Sequence, residues 1–281
     1  MAYKTEVLID GLYFGEGPRW HEGRLWLSDM QGRRVWKVDM QGQMEEVARV
    51  PKQPSGLGWL PDGRLLIVSM VDRRLLRLDP QGLVEVADLS RLAAYHCNDM
   101  VVNSNGDAYI GNFGSDWAGR TDPDPANLVL VKPDGTARIV AEEMQFPNGS
   151  VITPDGRTLI VAETWGRILT AFNIERDGSL TGRRIWANTD PAWPDGICLD
   201  AENAVWIASP VTKQVVRIAE GGRVLQTIDL DRQAVACALG GPDRRTLCII
   251  TAGSLAPKEI MAGPTSRVEC IRVEVPGAGL P

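Results

Sequence analysis

The chain has 281 residues, of which 44% are hydrophobic, and 36 acidic side chains against 30 basic ones give it a net charge of −6. This length can bury a large core, and the acidic balance argues against nucleic acid and anionic membranes as partners. The sequence shows no signal-like N-terminus and no apolar run of about 18 residues, so we expect a cytoplasmic protein that does not span a membrane.

Short apolar runs separated by tight turns follow one another along the chain. A strand-like run at residues 5–9 comes first, and residues 89–95 are the only segment with helical periodicity. The turn pairs between the later runs include Asp62-Gly63, Asn105-Gly106, Asp134-Gly135 and Asp155-Gly156. Evenly spaced short strands with such turns are typical of an all-β sandwich, barrel or propeller.

A repeat decides among these architectures. Its six copies begin, in chain order, at Glu16, Ser55, Asn98, Asn148, Asp195 and Ala236. The intervals of 39, 43, 50, 47 and 41 residues match a four-stranded propeller blade, and six blades lie within the usual range. We therefore expect residues 1–281 to form a single six-bladed β-propeller.

The last copy of the repeat is one strand short. It contains strand-like segments only near residues 235–240, 246–251 and 267–275. The N-terminal run at residues 5–9 is predicted to supply the fourth strand, which would close the ring and remove two exposed strand edges.

Residues at the same phase of the repeat should form a ring, because the first strand of each propeller blade lines the central channel. Two carboxylates, Glu16 and Asp195, and two carboxamides, Asn98 and Asn148, share this phase. Unpaired carboxylates would repel each other there, and a divalent cation would balance their charge. The all-oxygen donor set favours Ca²⁺, Mg²⁺ or Mn²⁺ over a structural Zn²⁺. The alternative interpretation is that these polar residues only wet a water-filled tunnel.

Five short motifs together resemble one known family, the SMP-30/gluconolactonase/LRE-like proteins, over about residues 8–275. The motifs are Glu16-Gly17-Pro18-Arg19-Trp20, Leu27-Ser28-Asp29, Asn98-Asp99, Phe146-Pro147-Asn148-Gly149 and Pro194-Asp195-Gly196. The resemblance implies a six-bladed propeller with one divalent metal ion, Ca²⁺ first, with Zn²⁺, Mg²⁺ and Mn²⁺ as alternatives.

The same resemblance implies roles for individual residues. The family's metal ligands match Glu16, Asn148 and Asp195, and its proposed general base also matches Asp195. An asparagine that contacts substrate matches Asn98.

Two further residues are candidates for substrate binding. Sugar-lactonase members of the family often carry an arginine where this chain has His96, and a histidine cannot reproduce the arginine fork. Gluconolactone is therefore a weaker expectation than the ring-opening reaction. His96 either contacts substrate or is a loop histidine with satisfied hydrogen bonds, and Trp165 either stacks on substrate or packs between blades.

The expected function is metal-dependent hydrolysis of a small lactone or related carboxylic ester by a monomer or small homo-oligomer. A Ser-His-Asp hydrolase is disfavoured, since the chain has two histidines and no Gly-x-Ser-x-Gly motif. A phosphotriesterase on the same metal site and a ligand-binding propeller with a structural ion stay open. A metal-free role like that of strictosidine synthase is disfavoured, because it would not need the carboxylate pair.

Overall fold

The computed structural model describes residues 4–116 and 124–279. In this part of the chain, 24 strands form six antiparallel sheets of four strands each, arranged as the blades of a β-propeller. The first strands of neighbouring blades contact one another around a closed ring. The all-β, six-bladed architecture expected from the repeat is therefore confirmed.

The strands follow the repeat closely. The segment before the first repeat is β1 (Glu6–Leu12). Blade 1 contains β2 (Gly15–His21), β3 (Arg24–Asp29), β4 (Arg34–Val38) and β5 (Met44–Arg49). Blade 2 contains β6 (Pro54–Trp59), β7 (Leu65–Ser69), β8 (Arg74–Asp79) and β9 (Gly82–Asp88). Blade 3 contains β10 (Cys97–Val102), β11 (Ala108–Asn112), β12 (Ala126–Val131) and β13 (Ala137–Met144).

The second half of the ring has the same plan. Blade 4 contains β14 (Pro147–Ile152), β15 (Thr158–Glu163), β16 (Ile168–Ile174) and β17 (Leu180–Asn188). Blade 5 contains β18 (Ile197–Leu199), β19 (Val205–Ser209), β20 (Gln214–Ile218) and β21 (Val224–Asp229). The last segments are β22 (Gln233–Gly240), β23 (Thr246–Ala252), the helix α1 (Pro257–Ala262) and β24 (Ser266–Arg272).

The ring closes through β1. The sheet of blade 6 has the order β1-β24-β23-β22, and Glu6 of β1 lies opposite Cys270 of β24. Ile9 and Leu12 of β1 are buried in the core between blades 6 and 1. The prediction that the N-terminal run supplies the fourth strand of the last blade is confirmed.

Removing residues 1–12 is expected to lower the melting temperature by about 10 °C. Burial of Ile9 and Leu12 contributes about 1.5–3 kcal/mol each, and a loss of this size shifts Tm by about 2–4 °C per kcal/mol. Thermal unfolding followed by circular dichroism measures the change. A chain that lacks only residues 1–4 is the matched control, and equal melting temperatures for the two truncated chains would contradict the closing role of β1.

The core lies between the blades, because strand side chains alternate between the two faces of each sheet. In β23, Leu247 and Ile249 pack against blade 5, whereas Cys248 and Ile250 pack against blade 1. Among the described residues, one such apolar cluster lies between each pair of neighbouring blades. This two-sided burial explains why the strands appear in the sequence as nearly continuous apolar runs.

The helical segments differ from expectation. Residues 89–95 form a turn rather than a helix, with one helical hydrogen bond from the Ala93 N–H to the Leu89 carbonyl (2.8 Å). A six-residue helix, α1, lies instead between β23 and β24. None of the helices in the described ranges has the length and apolar character needed to cross a membrane.

Candidate functional site

The ring residues lie where the first strands depart from regular pairing. The register of β2 against β3 shifts between Glu16 and Arg19, and that of β10 against β11 shifts between Cys97 and Met100. An equivalent shift in β14 spans Asn148. A β-bulge changes the direction of a side chain. Because the bulge occurs at the same position in each of these three repeats, it should change the direction of the three ring side chains in the same way.

Glycines after the ring residues let neighbouring first strands approach closely. A Cβ atom on Gly196 would lie 2.5 Å from the Cβ of Ala236, and one on Gly149 would lie 2.5 Å from the backbone nitrogen of Ile197. The Gly149 N–H donates to the Asp195 carbonyl at 3.1 Å and joins blades 4 and 5. This close approach brings the ring side chains together, which explains the Asn-Gly and Asp-Gly pairs that open these repeats.

A cavity of about 510 Å³ opens at the end of the ring where the first strands begin and the second strands end. Its volume is typical of a small-molecule site. The six sequence-predicted site residues all line it: Glu16, His96, Asn98, Asn148, Trp165 and Asp195. The other two ring positions, Ser55 and Ala236, are buried outside its wall.

Glu16 and Asp195 form a pair of partly buried carboxyl groups in the cavity. Burial raises the pKa of Glu16 well above its ordinary value, and the nearby carboxylates of Asp195 and Asp99 raise it further. Burial also raises the pKa of Asp195 to about 8, against a hydrogen bond from Asn148 that lowers it. The side chains around Glu16 and Asp195 therefore balance their negative charge poorly.

The amide nitrogens of Asn98 and Asn148 are both held by acceptors beside the cavity. The Asn98 amide nitrogen donates to the Pro147 carbonyl (3.3 Å), and the Asn148 amide nitrogen donates to the Thr164 hydroxyl (3.3 Å). Thr164 in turn donates to the Pro194 carbonyl at 2.7 Å, which fixes its orientation. Within the described ranges no hydrogen bond reaches the carbonyl oxygen of either amide, so both are available as ligands.

These residues fit a divalent cation. A cation close to Glu16 and Asp195 would favour their ionised forms and remove the imbalance of charge. In the part of the chain that the structure describes, no group of three or more His, Cys, Asp or Glu side chains could hold a metal ion. A metal site in this cavity would therefore use further oxygen donors besides the two carboxylates, and amide oxygens are ordinary ligands of hard cations.

A buried ion pair next to the ring was not predicted from the sequence. Arg19 of β2 donates to the Asp99 carboxylate at 2.7 Å and to the Met100 carbonyl at 2.6 Å. Asp99 stands where most other repeats have glycine. Both charged residues belong to motifs noted above, but a separation of 80 residues gives no sequence signal that they pair.

His96 and Trp165 belong to the aromatic wall of the cavity. The His96 ring stacks on Tyr95 with the centroids 4.1 Å apart, and burial lowers the pKa of His96. Trp165 meets Trp193 edge to face at 5.2 Å. Both rings also line the cavity. Each residue can therefore pack against its neighbour and still contact a substrate.

Comparisons with known proteins agree with this fold. The family model described as SMP-30/Gluconolactonase/LRE-like region matches residues 14–253. The chain is 27% identical to the pentonolactonase XacC of Haloferax volcanii, over 89% of this chain and 85% of that protein. It is 25% identical to the 6-deoxy-6-sulfogluconolactonase of Pseudomonas putida, over 95% and 94% of the two chains.

A solved structure shows the same fold. The calcium-binding protein regucalcin of Agrobacterium tumefaciens superposes with a TM-score of 0.84 at 23% identity, covering 100% of this chain and 97% of the other. The family match spans five complete blades and part of the sixth, and includes the six predicted site residues. The chain therefore belongs to the SMP-30/gluconolactonase/LRE-like family.

Proposed function

We propose that this protein is a metal-dependent hydrolase that opens a small lactone, or cleaves a related carboxylic ester, with water. The observation that carries this proposal is the convergence of two partly buried carboxyl groups and two amides in one cavity: Glu16, Asp195, Asn98 and Asn148. Two relatives that align over most of the chain are named as lactonases, which supports this class of reaction.

Glu16, Asn148 and Asp195 would hold one divalent cation through oxygen atoms, with Asn98 beside it. The donor set suits Ca²⁺ first, with Mg²⁺, Mn²⁺ and Zn²⁺ as alternatives. The structurally similar regucalcin of Agrobacterium tumefaciens, which is described as a calcium-binding protein, supports placing Ca²⁺ first. When bound, the cation supplies a Lewis acid that polarises the ester carbonyl and stabilises the charge that develops on its oxygen.

The side chains of the site supply proton transfer and orientation. Asp195 accepts a proton from the attacking water, whose oxygen forms a bond to the carbonyl carbon. The ring C–O bond then breaks, and the departing alkoxide receives the proton from Asp195, so the product is the hydroxy acid. Asn98 orients the carbonyl, and His96 and Trp165 contact the remainder of the substrate.

A panel of lactones, carboxylic esters and phosphotriesters, each assayed with Ca²⁺, Mg²⁺, Mn²⁺ and Zn²⁺, tests the proposal. We expect lactones to be the best substrates and a chelator to abolish their turnover. Faster hydrolysis of phosphotriesters would favour a phosphotriesterase. Metal binding without turnover of any compound would instead indicate a ligand-binding propeller with a structural ion.

Glu16→Gln is expected to weaken metal binding, because it removes one of the two charges that the cation balances. A metal at 100 times its Kd stabilises the native protein by about 2.7 kcal/mol, which should raise Tm by about 5 °C or more. Differential scanning calorimetry should show this shift for the parent and a much smaller one for Glu16→Gln at the same metal concentration. Glu22→Gln, at a residue whose side chain is 79% exposed, is the control. No shift of the parent with any of the four metals would contradict the metal site.

A further inference from the structure

The wall of the cavity above the ring is mainly apolar. Its aromatic members include Phe14, Tyr95, Phe113, Phe146, Trp165 and Trp193. Aliphatic side chains continue this surface, among them Met70 and Val71 after β7, and Leu255 and Ile260 in and near α1. The cavity thus has a polar floor, made by the ring residues, under a large apolar wall.

The aromatic wall follows the repeat. Phe14, His96, Phe146 and Trp193 each lie two residues before a ring residue. All four precede the first strands of their blades and line the same cavity, so together they form a second tier beyond the ring residues. Four of the six blades therefore place an aromatic ring directly beyond the polar tier, and we call this set the aromatic collar.

Contacts between rings hold the collar in place. Phe146 stacks on Phe113 with the centroids 4.7 Å apart and the planes 14° from parallel. Phe146 also has a φ of 63°, a left-handed conformation that is unusual and strained for a bulky residue. Strain of this kind is found mostly where a site needs a particular side-chain position.

The collar offers little to a polyhydroxylated or anionic substrate. None of the described residues that line the cavity is a lysine or an arginine. Two of the polar lining residues, Gln31 and Gln53, already bond to each other at 2.9 Å. Sugar hydroxyls placed against the rings of Phe14, Phe113 or Phe146 would lose hydrogen bonds to water without gaining partners from those rings, which is unfavourable.

We infer that the cavity takes a neutral lactone carrying an alkyl substituent, with the reacting carbonyl at the ring residues and the alkyl chain against the aromatic collar. This inference rests on the proposed function and names its substrate class. It separates the protein from relatives named for pentonolactones and a sulfogluconolactone, since a sulfonate would require a cationic partner.

A series of δ-lactones with one ring and different substituents tests the inference. δ-Valerolactone is the bare ring, δ-hexalactone, δ-octalactone and δ-decalactone add alkyl chains of increasing length, and δ-gluconolactone adds hydroxyls. Each kcat/KM is divided by the rate constant for alkaline hydrolysis, which removes differences in intrinsic reactivity. We expect the normalised value to rise about threefold per methylene, and at least about 100-fold from δ-valerolactone to δ-decalactone. δ-Gluconolactone should fall below δ-valerolactone.

Variants of Phe113, which stacks on Phe146 of the collar, assign the effect to the aromatic wall of the cavity. Phe113→Ala should lower the ratio of δ-decalactone to δ-valerolactone kcat/KM about tenfold, because it removes most of one apolar wall. Phe113→Leu keeps an apolar side chain there and should retain most of the ratio. Ile185→Ala, on the outer strand of blade 4 and 67% exposed, is the control and should leave the whole series unchanged.

The outcomes separate the substrate class from the reaction. Normalised values for δ-gluconolactone above those for δ-decalactone would overturn the apolar substrate and leave the proposed lactonase intact. If the metal-loaded protein hydrolyses none of the five lactones, the proposed function fails, and calorimetric binding of the same compounds decides the substrate class. A Kd for δ-decalactone at least about tenfold below that for δ-gluconolactone would support it, and equal or weaker binding would overturn it.

Discussion

Asp195→Asn, saturated with a divalent metal, is expected to hydrolyse a good lactone substrate at least about 100-fold more slowly than the parent. Asparagine keeps an oxygen atom for the cation, as Asn148 does in the same ring, but it cannot accept the proton of the attacking water. Loss of charge also weakens metal affinity, and excess metal compensates for that loss. The measurement is kcat at saturating metal and substrate, with bound metal determined on the same samples.

Two further variants are compared with Asp195→Asn. Asp177→Asn makes the same chemical change on an exposed turn, where the side chain is 67% exposed, and should leave kcat unchanged. Asn98→Ala should impair substrate use while metal is largely retained. If Asp195→Asn with a full complement of metal turns over within a few-fold of the parent, Asp195 is only a ligand. The base would then have to be another residue of the cavity, and His96→Gln would be the next variant to test.

The fold could be predicted because each repeat shows where its first strand begins relative to the following turn. Each repeat places a ring residue about seven positions before a tight turn, and this phase alone places Glu16, Asn98, Asn148 and Asp195 in one cavity. The missing strand of the last repeat predicted closure by the N-terminal run, since an open blade would leave unpaired edges. These inferences needed only local patterns and the symmetry of the ring.

Features that break the repeat could not be predicted in the same way. The helix α1 is six residues long, too short for a clear helical period, although the proline at its start was an available signal. Asp195 precedes β18, which is only three residues long, so the fifth repeat begins outside a strand. The aromatic collar is partly accessible from the sequence, because His96 lies two residues before Asn98 and the same offset in other repeats gives Phe14, Phe146 and Trp193.

The pairing of Arg19 with Asp99 is the interaction least accessible from sequence, and breaking it should have a large effect on stability. Their side chains are 7% and 8% exposed, so Arg19→Met leaves a buried carboxylate without its partner. Breaking a buried ion pair in this way typically costs about 3–5 kcal/mol. Urea unfolding of the metal-free protein should show this as a lower midpoint with an unchanged slope, because the surface exposed on unfolding is nearly the same.

A surface pair and a double variant distinguish the unpaired charge from lost packing. Arg24→Met removes an arginine that is 43% exposed and pairs with Asp39 at 3.1 Å, and solvent screening should make its effect small. Asp99→Asn in the Arg19→Met background removes the stranded charge but keeps the oxygen that accepts the Met100 N–H (2.9 Å). It should therefore recover a large part of the lost stability. If Arg19→Met costs no more than Arg24→Met, the buried pair does not stabilise the inner ring. If Asp99→Asn recovers nothing, the loss comes from the packing of the arginine side chain and not from an unpaired carboxylate.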